Sequence, residues 1–292
     1  MLRRSFLAAG TAAAAGAQSA RARFRKGICS IIFPEGMPFP EKFRRTRDAG
    51  FEGIEMRLGD EIPMETPDEE LKRTAAAARS AGVTIASVWC SGPLSAVPLN
   101  SPDADKRARG VEVLKRAVDI AALLGCGAVL VVPGRLGSGA KLQAGYEDTW
   151  QRVTAEMRKA VPHAASRQVI LTPENVWNKF LVSPLEMRTF VDQFHSPWLQ
   201  THFDIGNVMQ FGYPQDWIRT LGARIRRVHA KDYKLSARAE QGRFVDLMEG
   251  DVDWKDVMAA LVETGYQGFI SPEVTGDIAQ VSRTLDRILS LA

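Results

Sequence analysis

Short apolar runs alternate with longer amphipathic segments along the chain from residue 27 onwards. The runs hold four to seven residues and are rich in Ile, Val and Leu, which is typical of buried β-strands. The amphipathic segments carry apolar residues at helical spacing, and several of them stop at a glycine. This pattern predicts strands over residues 28–33, 53–57, 84–89, 128–133, 169–174, 199–204, 225–228 and 268–274, and helices over residues 40–49, 67–81, 104–124, 146–166, 184–194, 216–221, 254–264 and 278–291.

The eight predicted strands and eight predicted helices follow one another in strict alternation. Such alternation favours a parallel sheet, and eight units in a chain of this length favour a closed barrel. A doubly wound open sheet is the alternative, but no glycine-rich phosphate loop follows the first strand. We therefore predict the α/β class and a single (β/α)8 TIM barrel over residues 23–292.

The first 22 residues have the character of an export signal. They begin with Arg3 and Arg4, continue with a mildly apolar Ala/Gly-rich run and end in Ala-Arg-Ala. The arginine pair, followed by Phe6 and Leu7, resembles a twin-arginine signal. We predict that residues 1–22 are this signal and that the protein is exported, to the periplasm. The alternative is an alanine-rich N-terminal helix of a cytoplasmic protein. The run is too short and too weakly apolar to span a membrane, so no stable membrane insertion is expected once the signal is removed.

Composition narrows the function only a little. The chain has 292 residues, with 45% hydrophobic and 25% charged residues, as ordinary globular proteins do. Its net charge of +4 comes from arginines and a lysine in the first 26 residues, so no nucleic-acid partner is predicted. The three cysteines, Cys29, Cys90 and Cys126, lack metal-site spacing and are predicted to be buried free thiols.

Four residues that can bind a metal lie where four consecutive predicted strands end. They are Glu174, Asp204, His229 and Glu273, each separated from the next by about one strand–helix unit. In a barrel they would line one arc of the C-terminal mouth, where active sites of this fold lie. Three carboxylates and one imidazole favour Mn²⁺, with Co²⁺, Mg²⁺ or Zn²⁺ as alternatives. Helix capping by the carboxylates is the competing interpretation, and four residues in register make it the weaker one.

Such a metal could hold the carbonyl and the adjacent hydroxyl of a sugar and stabilise the enediolate that forms when a neighbouring proton leaves. Glu174 and Glu273 come from different strands and could flank the substrate. One would abstract a proton and the other would return it. Glu55, at the end of the second strand, is predicted to contact substrate or to pair with a neighbouring cation. His202 is predicted to face the interior near the metal ligands and is counted among the substrate-binding candidates.

Motifs around the four residues resemble those of the xylose-isomerase-like sugar phosphate isomerase/epimerase family. The matching segments are Pro173-Glu174-Asn175, Phe203-Asp204-Ile205-Gly206-Asn207, Val228-His229-Ala230-Lys231-Asp232, Pro272-Glu273, Gly53-Ile54-Glu55, and residues 250–254 and 265–268. The resemblance covers the chain after the signal and is greatest to ketose 3-epimerases and hexulose phosphate isomerases. It implies that Glu174, Asp204, His229 and Glu273 bind the metal, that Glu174 and Glu273 are the acid and base, and that Lys231, Asn175, Asn207 and Trp89 line the substrate pocket.

The sequence departs from the ketohexose epimerases at two substrate-contacting positions. A glutamate six residues after the first metal-binding glutamate is replaced by Phe180, and a histidine three residues after the metal-binding aspartate is replaced by Asn207. Ketohexose specificity therefore does not carry over to this chain.

The function predicted from the sequence is that of a metal-dependent sugar isomerase or epimerase acting on a ketose-like sugar. Because sugar phosphates are mainly cytoplasmic, an exported enzyme favours a free sugar. The first alternative is a lyase or deglycosidase on 3-keto-glycosides, and the second is a non-catalytic sugar-binding barrel. The long connection over residues 233–253 is predicted to cover the site as a lid or as a static cover. Homo-oligomerisation is left open.

Overall fold

Eight parallel strands form the centre of the protein in a computed structural model, which describes residues 24–237 and 242–292. The strands are β1 Arg25–Cys29, β2 Gly53–Arg57, β3 Thr84–Trp89, β4 Ala128–Val131, β5 Ile170–Pro173, β6 Thr201–Asp204, β7 Ile225–Ala230 and β8 Phe269–Pro272. They pair in the order β5-β4-β3-β2-β1-β8-β7-β6, each parallel to its neighbours. The predicted alternation of strands and helices is confirmed. The predicted signal over residues 1–22 lies outside the described residues.

The two ends of this sheet meet at β5 and β6, where pairing is reduced to two isolated parallel bridges, Leu171 with Leu199 and Glu174 with His202. The backbone bonds Leu171 N to Trp198 O and Gln200 N to Leu171 O, 2.9 and 3.1 Å long, also cross this seam. The barrel therefore closes, as predicted, with its weakest pairing between the strands that carry Glu174 and Asp204.

In the described residues, eight helices of eight residues or more surround the strands, one after each. They are α1 Phe39–Asp48, α2 Asp68–Ser80, α3 Ala104–Leu123, α4 Tyr146–Ser166, α5 Pro184–Asp192, α6 Pro214–Leu221, α7 Trp254–Glu263 and α8 Ile278–Leu289. Asp103, Ser183, Asp253 and Asp277 cap the helices that follow them by accepting backbone N–H bonds. Among the helices of the described ranges, none is both long and apolar enough to cross a membrane.

Most element boundaries agree with the sequence prediction to within two residues, and the first strand is the main exception. The apolar run after residue 28 is split: Arg25–Cys29 is the strand, and Ser30–Ile32 is a 3-10 turn. The short helices Ser91–Ala96 and Ile205–Val208, and two antiparallel ribbons, were not predicted. The first ribbon joins Gly137–Ser138 to Lys141–Leu142, and the second joins Asp232–Lys234 to Arg243–Val245.

The floor of the barrel below the mouth is filled by side chains from β7 and β8. The buried Arg227 donates from Nε and Nη2 to the backbone oxygen of Ala86, at 2.9 and 2.7 Å, and its guanidinium lies 5.6 Å from the ring centroid of Phe269. A Cβ at Gly53 would overlap that ring, so β2 can pack here only with a glycine. The polar residues at the mouth therefore lie directly above a closely packed layer of side chains.

Candidate metal centre and active site

Glu174, Asp204, His229 and Glu273 lie together at the C-terminal mouth of the barrel. One ligand atom from each can be chosen so that all four lie within 4.8 Å of one another. His229 Nδ1 is central: it is 3.0 Å from Glu174 Oε1, 3.1 Å from Glu273 Oε2 and 3.7 Å from Asp204 Oδ2. Asp204 and His229 are fully buried. The four residues that the sequence singles out are thus neighbours in space.

Two asparagines hold Asp204 in place: Asn175 contacts it across the seam of the barrel, and Asn207 follows it in the chain. The side chain of Asn175 accepts from Asp204 N and donates to Asp204 O, both at 2.8 Å, and so takes the place of a strand neighbour. Asn207 N donates to Asp204 Oδ1 at 2.8 Å, and Asn207 Nδ2 donates to Asn175 O at 3.0 Å. Both amide side chains are buried and bonded to backbone, and their predicted contact with substrate stays a prediction.

Glu55 lies beneath the four residues and contacts the other ring nitrogen of His229. Glu55 Oε2 is 3.4 Å from His229 Nε2, and it accepts hydrogen bonds from the Ser87 hydroxyl and, at 3.0 Å, from Trp89 Nε1. With Nε2–H directed at Glu55, Nδ1 is the nitrogen that faces Glu174 and Glu273, and a bound metal would take the place of its proton. Glu55 therefore orients His229, whereas its predicted contact with substrate stays a prediction.

His202 and Trp89 pack against the ring of His229. The ring centroid of His202 lies 4.1 Å from that of His229, and the ring centroid of Trp89 lies 5.2 Å from that of His229. His202 is fully buried, and neither of its ring nitrogens has a hydrogen-bond partner in the described structure. His202 therefore lies in the interior, as predicted, and its predicted contact with substrate stays a prediction.

Lys231 is the one lysine or arginine that forms an ion pair with the cluster among the described residues. Its Nζ is 2.6 Å from Glu273 Oε2 and 3.1 Å from Asp204 Oδ2. His229 and Lys231 lie two residues apart at the end of β7, so their side chains leave the strand on the same side. Lys231 remains partly accessible, with 16% of its side chain exposed, which leaves it able to contact a sugar.

The protonation of the cluster follows from burial and from these contacts. Burial raises the pKa of Glu174 to about 7, against the opposing effect of His229. Burial would also raise the pKa of Glu273, but His229 and Lys231 outweigh it and lower that pKa to about 2. Burial likewise favours a neutral His229, but the surrounding acidic groups, Glu55 and Glu174 among them, raise its pKa well above the ordinary value. The two glutamates are therefore driven in opposite directions.

The donor set fits a divalent metal ion. Three carboxylates and one imidazole nitrogen converge, and the buried Asp204 Oδ2 faces this cluster, where it forms an ion pair with Lys231 Nζ at 3.1 Å. Buried carboxylates this close together repel one another unless cationic charge lies between them, and a divalent ion supplies more of that charge than one lysine does. Oxygen-rich sets of this kind suit Mn²⁺, Mg²⁺ or Co²⁺. Cys29 also lies near His229 and Glu55, but burial raises the pKa of its thiol, so it is a neutral neighbour.

Asp232 anchors the long connection that follows β7. Its carboxylate accepts hydrogen bonds from Tyr233 N, Met248 N, Val252 N and Trp254 Nε1 at distances of 2.8 to 3.2 Å. The segment 250–254, noted in the sequence only as a matching motif, thereby returns to the end of β7. Within the described ranges this connection is a cover built on the second ribbon, held at its base by one carboxylate.

The sequence prediction missed some of the residues that complete the site. Ser87 could have been found, because it lies two residues before Trp89 on the same face of β3. Trp177 and Phe244, which lie at the mouth, carried no sequence signal, since each is a single aromatic residue in a long connection. The three cysteines are buried free thiols, as predicted.

Comparison with known proteins identifies the family and the fold of the chain. The sequence model of a family described as "Xylose isomerase-like TIM barrel" matches residues 43–290. The protein SgbU of Escherichia coli K12, for which L-ribulose-5-phosphate 3-epimerase activity is proposed, is 27% identical over 255 residues, or 83% of this chain and 85% of SgbU. The L-ribulose-5-phosphate 3-epimerase UlaE of Salmonella paratyphi C is 25% identical over 259 residues, or 87% of this chain and 88% of UlaE.

Solved structures share the fold. A D-tagatose 3-epimerase-like protein superposes with a TM-score of 0.75 at 20% identity, over 91% of this chain and 96% of that one. A structure of L-ribulose 3-epimerase superposes with a TM-score of 0.70 at 24% identity, over 90% of this chain and 86% of that one. Identities this low establish the common barrel alone.

Proposed function

Because the chain belongs to the xylose isomerase-like TIM barrel family, we propose that it is a sugar epimerase that acts on a ketose-like sugar and depends on one divalent metal ion. The observation that carries the proposal is the convergence of Glu174, Asp204, His229 and Glu273 within 4.8 Å, with a glutamate from each of two strands. SgbU and UlaE, which align over most of their length, are named as epimerases, and this supports isomerase-class chemistry.

The four residues would hold the ion, and Mn²⁺ is the metal we expect. When bound, the ion supplies positive charge that polarises the sugar carbonyl and offsets the negative charge of the enediolate. Asn175 holds the backbone of Asp204, and Asn207 N donates to Asp204 Oδ1, so that Oδ2 faces the site. Glu55 contacts Nε2 of His229, so that Nδ1 is the ring nitrogen that faces the site.

Glu273 and Glu174 divide the proton transfers between them. Glu273, whose pKa is about 2, is a carboxylate at neutral pH and takes the proton from the carbon beside the carbonyl. Glu174, which comes from a different strand, would return a proton to the opposite face of the same carbon. One proton leaves and one returns, so the product is the epimer and no redox partner is needed. Lys231, 2.6 Å from Glu273, is placed to donate to a sugar oxygen.

A free sugar is the substrate class we propose, in preference to a sugar phosphate. The predicted export signal supports it, because phosphorylated sugars are mainly cytoplasmic. The phosphate in the substrate names of SgbU and UlaE argues the other way, which makes phosphorylation the first property to test.

The experiment is metal removal and reloading with product analysis by NMR. The purified protein is stripped with a chelator, reloaded with Mn²⁺, Co²⁺, Mg²⁺ or Zn²⁺, and incubated with free ketoses, 3-keto-glycosides and L-ribulose 5-phosphate. We expect an epimer to form only after reloading, fastest with Mn²⁺ and with a free sugar. Equal turnover by the stripped protein would refute the metal requirement. Turnover of the phosphate alone would refute the free-sugar assignment, and cleavage of a 3-keto-glycoside would identify a lyase.

A further inference from the structure

Two half-exposed aromatic rings lie at the mouth of the barrel. Trp177 follows β5 by four residues and is 44% exposed, and Phe244 belongs to the second ribbon and is 43% exposed. Their ring centroids are 5.0 Å apart and their planes are within 26° of parallel. Neighbouring large apolar side chains left in contact with water are typical of a surface that binds something. We call this pair the aromatic wall.

The aromatic wall is fixed in place by buried neighbours. Trp177 Nε1 donates to the backbone oxygen of Asn207 at 2.9 Å. Both rings pack edge-on against the buried Tyr233, at centroid distances of 5.6 and 5.2 Å. A rigid aromatic surface binds a ligand ring at a low cost in conformational entropy. The wall is therefore preorganised.

The aromatic wall adjoins the candidate site. The centroid of Phe244 lies 5.5 Å from Lys231 Nζ, which itself contacts Glu273 Oε2. A cavity of about 320 Å³ reaches from Phe244 to the site, and Lys231, Asp232, Asp246 and Glu273 are among its lining residues. Trp177 does not line this cavity and adjoins it through the ring of Phe244. This volume lies at the lower end of the range for ligand pockets, roughly 300–1,000 Å³, and the cavity continues from the site towards the aromatic wall.

The charges around the cavity disfavour a phosphate. Lys231 is the one basic residue among the described residues that line it, and its Nζ is already paired with Asp204 and Glu273. Three lining residues are acidic: Asp232, Asp246 and Glu273. A phosphate dianion placed here would face like charge with no free cation among these lining residues to neutralise it. An uncharged ring would meet no such repulsion.

We propose that the aromatic wall and this cavity form a second subsite, which takes an uncharged ring joined to the reacting sugar. The substrate class is then a glycoside or oligosaccharide. One face of a pyranose ring presents mainly C–H groups, which pack against an aromatic face, while its hydroxyls reach the acidic rim. The inference rests on the proposed function, since it takes the metal cluster as the place where the reacting ring binds.

The test is a binding experiment that needs no turnover. Mn²⁺-loaded protein is titrated calorimetrically with methyl β-D-glucoside, cellobiose and glucose 6-phosphate. The variants are Trp177→Ala, Phe244→Ala and Trp177→Phe, and the matched control is Tyr213→Ala, which removes an aromatic ring that is 73% exposed at the start of α6. Circular dichroism checks that each variant is folded.

We expect wild type to bind cellobiose about five-fold more tightly than methyl β-D-glucoside, as one ring stacked on an aromatic surface would give. Trp177→Ala and Phe244→Ala should abolish this preference. Trp177→Phe, which keeps a ring but loses the bond to Asn207, should retain part of it, and Tyr213→Ala should retain all of it.

Three results would overturn the subsite: equal affinities for the two glucosides, no measurable cellobiose binding, or tightest binding of glucose 6-phosphate. Epimerisation of small ketoses together with any of these would leave the proposed function standing and refute the subsite alone. A cellobiose preference that depends on Trp177, in a protein that epimerises no sugar, would refute the proposed function and leave the subsite standing.

Discussion

At the scale of single residues, the site is a set of buried polar groups in which each ligand candidate is held by another side chain. His229 shows this most clearly, since Glu55 contacts its Nε2 and three carboxylates surround its Nδ1. Partners of this kind typically change metal affinity about 10- to 100-fold when they are altered. The affinity of the site for metal should therefore depend on residues that do not touch the ion.

Glu55→Gln tests this dependence. The change keeps the volume of the side chain but removes the charge beside His229 Nε2, so the imidazole becomes a poorer ligand. We expect the Kd for Mn²⁺, measured by calorimetry, to rise about ten-fold. Glu263→Gln, which alters a surface carboxylate bonded to Arg219, is the control and should leave the Kd unchanged. An unaltered Kd in Glu55→Gln would show that the contact has no such role.

Metal binding should release protons, because Glu174 and His229 hold them in the metal-free protein. Burial raises the pKa of Glu174 to about 7, and the acidic surroundings of His229 raise its pKa well above the ordinary value. Both groups must be deprotonated to bind metal. Mn²⁺ affinity should therefore increase as the pH rises from 6 to 8, by at most about ten-fold per pH unit for each group that is still protonated at that pH. Calorimetry in buffers of different ionisation enthalpy counts these protons, and a count of zero would contradict the account.

The sign of the matching stability effect follows from the same pKa. Folding raises the pKa of Glu174 above its ordinary value of 4.5. The protonated Glu174 side chain therefore makes its full contribution to the free energy of unfolding below pH 4.5. This contribution is lost as the pH rises through about 7. Bound metal should therefore raise Tm more at pH 8 than at pH 5.5.

Sequence alone was sufficient to choose the four ligand candidates, because strand ends carry their side chains to one edge whatever the detailed packing. It was not sufficient to separate residues that face the mouth from those beneath it. Glu55 and His202 were grouped with the substrate contacts, and the structure has both fully buried under or beside His229. Depth inside a barrel depends on strand stagger, which leaves no local signal.

At the scale of elements, the connection after β7 is held in place by the contact between Asp232 and the backbone around Gly250. Asp232 accepts four hydrogen bonds from this connection and its end, and Gly250 passes directly against its carboxylate. A Cβ at position 250 would overlap Asp232 Oδ1 and would lie 2.8 Å from Tyr233 N. The sequence predicted a cover here but not its anchor, because the contact joins residues 18 positions apart.

Gly250→Ala should therefore disturb the cover without unfolding the barrel. We expect the free energy of unfolding to fall by about 1–3 kcal/mol, as for other overpacked positions, and limited proteolysis to cut more readily within residues 233–253. Gly127→Ala is the matched control, since a Cβ there would meet no atom within 4 Å. Equal proteolysis of the two variants would show that the cover does not depend on this contact.

At the scale of the whole molecule, the barrel was predictable because strand and helix periodicities differ and alternate eight times. Seven of the eight strand ends on the candidate side of the barrel were placed to within two residues. The ribbons and short helices were not predictable, since they are two to six residues long and have no room for a periodic pattern.

Export also belongs to this scale and remains a proposal, since residues 1–22 lie outside the described structure. In a bacterial host that has the twin-arginine pathway, the full-length chain should be recovered in the periplasmic fraction. Replacing Arg3 and Arg4 together by Lys should retain it in the cytoplasm, because that pathway recognises the pair. Recovery of both forms in the same compartment would refute the signal and weaken the preference for a free sugar.

The central claim is that two glutamates beside a metal move a proton on and off the carbon next to a sugar carbonyl. The most direct measurement is deuterium uptake from D₂O by NMR, with wild type, Glu174→Gln, Glu273→Gln and the control Glu263→Gln, each at a Mn²⁺ concentration shown by calorimetry to saturate it. We predict uptake at that carbon in wild type and in the control, and a loss of at least about 100-fold in both site variants. Uptake that survives in both site variants, or no uptake by wild type from any sugar tested, would contradict the claim.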